Sequence, residues 1–111
     1  MSDPDRVRLR HMLDAAQEAL TFISGKTKED LFADRQLALA LIKEIEIIGE
    51  AASRISIALK ESRPDVPWAA TIGMRNRQIH AYAEIDLDVV WSAGSSDLPL
   101  FLRTVQQLLE M

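Results

Sequence analysis

A chain of 111 residues, 48% of them hydrophobic, has room for one hydrophobic core and not for two, so it reads as a single domain spanning 1–111. With no cysteine it excludes disulfides and thiolate metal sites, and with a net charge of −4 it excludes a generally basic nucleic-acid binder, leaving any such contact to a local cationic patch. Richness in Ala, Leu and Ile with only four Gly and four Pro points to an all-α fold, while the lack of a bilayer-length apolar run and of a signal-peptide core in Met1–Arg10 fits the cytoplasm and no membrane partner.

Taken in order, Asp3-Pro4-Asp5 reads as a helix start, with Asp3 as cap and Pro4 in the first turn. Leu9, Leu13, Ala16, Leu20 and Ile23 recur at steps of three and four and form one apolar stripe, which Gly25 ends. Arg6, Arg8, Arg10 and His11 of this helix read as a solvated face. Thr27 caps a short segment anchored by Leu31 and Phe32. A long helix is then predicted from about Asp34 to Lys60. Its residues Leu41, Ile45, Ile48, Ala52, Ile55 and Leu59 make a heptad seam. Leu37, Leu39, Ile42, Ile47, Ala51, Ile57 and Ala58 widen its apolar surface, so it is either central or offers a second face to a partner. Glu50 and Arg54, four apart, suit a surface ion pair.

Pro64 and Pro67 break the chain, because neither can continue a helix. Pro67 opens the next helix, with Trp68, Ile72 and Ile79 on one stripe, running to about Ala83. Asp86 caps a further turn through Trp91. Gly94-Ser95-Ser96-Asp97 reads as a loop. A last helix starts near Leu98-Pro99 and turns Leu98, Leu102, Val105 and Leu109 inward.

The chemistry concentrates in Met74–Tyr82, which gathers two arginines, an amide, an imidazole and the only tyrosine. On a helical wheel, taking Arg75 as zero at about 100° per residue, Tyr82 lies roughly 20° to one side. Asn76 lies near ~100° and His80 near ~140° on the other. Arg75 and His80 therefore diverge on one helix, and a site using both assembles more easily where two copies face each other. His80 can exchange a proton near neutral pH, and the planar fork of Arg75 matches phosphate oxygens. With a ribose 2′-hydroxyl as nucleophile, these two suffice to cleave RNA. One His with no Cys and no nearby carboxylate pair argues against a metal site or cofactor. From spacing alone, His80 as a buried histidine bonding between helices and Tyr82 as a core residue remain open.

The run Arg75-Asn76-Arg77-Gln78-Ile79-His80-Ala81-Tyr82 resembles the Arg-Asn-x-x-x-His-x-Tyr motif of HEPN domains, in particular the HepT-type toxin branch. Ile45–Ala51 is similar to that branch's long-helix signature. Pro67-Trp68 upstream, Ile85-Asp86 and Val90-Trp91 downstream, and Asp97-Leu98-Pro99 at the last helix agree with it. The resemblance implies an all-α, up-and-down bundle of four to five helices, dimerising through its long helices with the motif helices at the cleft. It implies a metal-independent endoribonuclease toxin of a type II/VII-like toxin–antitoxin system. Arg75 and His80 would be catalytic, with Asn76 in support. It implies as partners an RNA substrate, a second copy and a minimal nucleotidyltransferase antitoxin that attaches AMP to Tyr82. The chain departs from the family in having Ala83 where an aromatic often follows the tyrosine. The alternative is a non-catalytic helical module that binds a nucleotide or the nucleotidyltransferase, which the acidic net charge favours.

Overall fold

The computed structural model describes residues 1–79 and 86–110, with residues 74–79 described in their backbone only. Those residues form an all-α bundle: α1 (Asp3–Ile23), α2 (Lys28–Ala33), α3 (Arg35–Ser53), α4 (Ile57–Ser62), α5 (Trp68–Ile79), α6 (Leu87–Ser92) and α7 (Leu98–Leu109). Helix α1 packs on α3 and α7, and α3 packs on α5 with its other flank. The core runs the length of the bundle. Leu9, Met12, Ala16, Leu41, Ile45, Ile48, Leu98 and Leu108 are fully buried, and Phe101 and Leu102 bridge its two ends.

The first helix starts one residue earlier than the pattern suggested. Ser2, not Asp3, is the cap, its hydroxyl accepting from Asp5 N at 3.2 Å. Gly25 ends the following turn at φ 73°, a left-handed backbone that glycine adopts without steric cost. Thr27 closes a capping box with Asp30, their bonds measuring 2.8 and 3.2 Å. Leu31 is buried there, whereas Phe32 is half exposed and anchors nothing inward.

The single long helix expected from Asp34 to Lys60 is two helices. Helix α3 ends at Ser53, and Ser56 takes an extended conformation and caps α4 by accepting from Leu59 N at 3.2 Å. The cause lies across the bundle. Asp5 of α1 accepts from Ser56 N at 2.8 Å and from the Ser56 hydroxyl, which fixes that residue outside a helix. The heptad seam survives the break, with all six of its members buried.

The expected loop at Gly94–Asp97 is also helical. Residues Ala93–Asp97 form one wide π-turn that joins α6 to α7, with Leu98 N donating to Ala93 O five residues back. Burial explains it. A Cβ on Gly94 would sit 3.2 Å from Leu41 Cδ2 and 3.4 Å from Ile23 Cδ1, so glycine serves close packing here. Asp86 caps α6 as its sequence suggests, accepting from Asp88 N and Val89 N. No described helix is long and apolar enough to cross a membrane.

Candidate functional site

The motif begins inside α5, so the anchoring of that helix comes first. Two prolines force the chain to turn, and the turn is tied to itself. Val66 N donates to Arg63 O at 3.2 Å and Trp68 N to Val66 O at 2.8 Å. Trp68 is buried, and its indole N–H finds the Arg63 carbonyl at 3.1 Å, which satisfies the polar edge of an otherwise apolar anchor. Buried Thr71 donates its hydroxyl to Pro67 O at 2.9 Å. Arg63 and Asp65 form a two-bond fork at 2.9 Å, and these bonds hold the Asp65 carboxyl below its usual value. A helix fixed in this way at its first turn carries Arg75 about 10 Å along its axis from Trp68, with Asn76 next to it.

The backbone is helical through Ile79, so Arg75 and Asn76 sit on successive positions of one helix. His80 and Tyr82 lie outside the described residues, as does the predicted helix end at Ala83. Among the described residues, no group of three or more His, Cys, Asp or Glu is placed to hold a metal ion.

A concave feature lies on the other flank of α3. Pro4, Val7, Arg8 and His11 of α1, with Lys43, Glu46, Ile47, Glu50 and Ala51 of α3 and Arg54 just after it, line a groove of about 1030 Å³. Arg8 and His11, which the sequence alone assigns to a solvated face, thus lie along a groove. Glu50 and Arg54 form the ion pair expected of their spacing, with Arg54 Nε and Nη2 at 3.0 and 2.9 Å from Oε1.

One titratable group escaped the sequence reading. Glu44 is 5% exposed, and its Oε2 has no hydrogen-bond partner. Burial pushes its carboxyl up to about 7, helped by a hydrogen bond with Glu18 of α1 and by that residue's charge. The signal was present, since Glu44 stands beside Ile45 and one turn from both Leu41 and Ile48 of the buried seam.

The described arrangement offers a firmly anchored helix bearing an arginine and an asparagine. Comparison with known proteins gives it a context. The family model described as Ribonuclease HepT-like matches residues 12–108. A protein of Thermococcus cleftensis named probable ribonuclease HepT is 35% identical over 91 residues, covering 78% of this chain and 83% of its own. Two relatives named as candidate RNases are similar over greater lengths. One, from Methanocaldococcus jannaschii, is 31% identical over 98 residues, covering 88% of this chain and 90% of its own. The other, from Caldanaerobacter subterraneus subsp. tengcongensis, is 29% identical over 105 residues, covering 95% and 94%. No solved structure matches.

Proposed function

The chain belongs to the HepT-like ribonuclease family, and from that premise we propose that it is a metal-independent endoribonuclease whose catalytic residues are Arg75 and His80, with Asn76 in support. The observation that carries the reading is the family match across residues 12–108, which takes in the whole stretch from Arg75 to Tyr82. The anchoring of α5 at Trp68 and Thr71 supports it by fixing the helix on which Arg75 stands.

The chemistry needs only this chain and RNA. A base removes the proton from a ribose 2′-hydroxyl, and the 2′-oxygen attacks the adjacent phosphorus. The bond from phosphorus to the 5′-oxygen breaks, and an acid returns a proton to that leaving oxygen. Imidazole serves either proton transfer near neutral pH. A guanidinium neutralises the charge that builds on the phosphoryl oxygens. Asn76 orients the imidazole or holds a phosphate oxygen. A continuous helix would set Arg75 and His80 on diverging faces, so the working site is shared in a homodimer.

In the same reading, the protein is a cytoplasmic toxin neutralised by a minimal nucleotidyltransferase. Attaching AMP to Tyr82 places a phosphate beside Arg75, which occupies the cation and obstructs RNA. The net charge of −4 favours a second reading, a module that binds the nucleotidyltransferase or a nucleotide and cuts nothing. Expression in cells, with and without a nucleotidyltransferase, separates the two. The ribonuclease reading expects growth arrest and RNA loss from wild type, neither from His80→Ala, and rescue accompanied by an AMP mass increment on Tyr82. Intact RNA in cells that accumulate the folded wild-type chain contradicts it.

A further inference from the structure

A smaller cavity, of about 250 Å³, opens between the first turn of α5 and the start of α7. Val66, Ala70, Leu100 and Phe101 give it apolar walls, and Leu100 is 64% exposed. Its volume lies below the ~300–1,000 Å³ of pockets for drug-sized ligands and suits one flat ring system. The cavity borders the candidate site. Thr71 lines it, and Arg75 takes the position four residues on, on the same face of α5 and about 6 Å further along the axis.

Among the described lining residues, the polar side chains are Thr71, Asp97 and Thr104, and all of them accept hydrogen bonds. Thr71 donates its hydroxyl proton to Pro67 O at 2.9 Å, and Thr104 donates its own to Leu100 O at 3.1 Å. A hydroxyl has one proton, so with both protons committed these oxygens accept from a guest. Asp97 stands where a cap of α7 would. A cap normally has an extended backbone, but Asp97 leaves the π-turn already helical, at φ −81° and ψ −43°. Its carboxylate makes no cap bond and is exposed.

An aromatic wall ringed by acceptors fits a nucleobase that presents donors. The Asp97 carboxylate repels phosphate, so the base enters and the phosphodiester stays on the Arg75 side. Of the four RNA bases, guanine carries two adjacent donors, N1–H and the N2 amine, which match the two oxygens of a carboxylate. Uracil, cytosine and adenine each set an acceptor beside a single donor group. We propose that this cavity holds a guanine of the RNA substrate, with Asp97 accepting from N1–H and N2–H and Phe101 packing against the base. The inference rests on the ribonuclease reading and names a base which that reading leaves open. The bonds that anchor Trp68 and Thr71 keep the cavity and the Arg75 position at a fixed separation. Cuts therefore fall at a constant distance from guanosine.

Binding of short, fluorescein-labelled 2′-O-methyl oligonucleotides to the full chain tests the proposal without cleavage, because a blocked 2′-oxygen cannot attack. By anisotropy, wild type binds a strand with one guanine at least tenfold more tightly than the same strand with adenine or inosine there. Inosine keeps N1–H and lacks the N2 amine. In Asp97→Asn and in Ala70→Trp, both at exposed positions, that ratio falls to about threefold or less, with circular dichroism confirming helical content. The second variant fills the cavity and carries the result if the first fails to fold. Equal binding of the guanine and adenine strands by wild type, or a ratio that the folded variants retain, overturns the guanine site and leaves the ribonuclease reading standing. GMP that binds as tightly as the guanine strand overturns the assignment to an RNA strand. Unmethylated RNA left whole by a wild type that keeps the guanine ratio overturns the ribonuclease reading and leaves the guanine site standing.

Discussion

The two ends of the α1–α3 pair each bury a carboxyl group, with opposite results. At one end, Asp5 is 2% exposed. Burial acts against its charge, but the hydroxyl and N–H of Ser56 donate to it, Ser2 adds a bond and Arg8 lies near, so its carboxyl is held below the usual value. At the other end, Glu44 is 5% exposed and meets another carboxyl group instead of a donor, and its value rises to about 7. The desolvation cost is similar in kind at both ends. What differs is the supply of N–H and O–H groups. One end is a charged clamp between helices, and the other is an acid pair that holds best when it keeps a proton.

Removing the clamp has the largest expected effect. Asp5→Ala strips Ser56 of the acceptor for its N–H and hydroxyl and lowers stability by ~3 kcal/mol, read from urea unfolding at pH 7. The next is a gain. Glu44 binds its proton more tightly folded than unfolded, so its contribution is full below about pH 4.5 and is lost as pH rises through about 7. Glu44→Gln keeps the shape and removes the charge. It stabilises the protein by ~2 kcal/mol at pH 8, does little near pH 4.5, and flattens the pH dependence between them. For Asp5 the sign is reversed. Its contribution is present above the unfolded value and disappears as pH falls through the lowered one. Ser56→Ala removes one of the two donors to Asp5 and the cap of α4, and costs ~1.5 kcal/mol in the same unfolding assay. Arg54→Ala, which breaks an exposed pair one turn away, changes stability by ~0.5 kcal/mol or less.

The same comparison explains what was legible in the sequence. The apolar spacing of Leu41, Ile45, Ile48, Ala52, Ile55 and Leu59 marked the buried seam correctly even though the helix it implied is interrupted. Local signals such as Thr27 before α2, Asp86 before α6 and Pro67-Trp68 gave true boundaries because their physics is local. The break at Ser56 was hidden because its cause, Asp5, is 51 residues away. Gly94–Asp97 has the composition of a loop, and only the packing of Leu41 and Ile23 against Gly94 shows why it stays helical. At the candidate site, the residue types and their order were legible, and the helix carrying Arg75 and Asn76 is present. The groove along α1 was not, because nothing local separates a solvated face from a groove wall.

The most direct test of the central claim is cleavage of a defined RNA oligonucleotide by purified chain in EDTA, comparing wild type with His80→Ala and Arg75→Ala. The account predicts cleavage by wild type and at least a hundredfold loss in either variant, with helical content and dimerisation retained. Equal cleavage by wild type and His80→Ala, or no cleavage by a folded wild-type dimer, contradicts it.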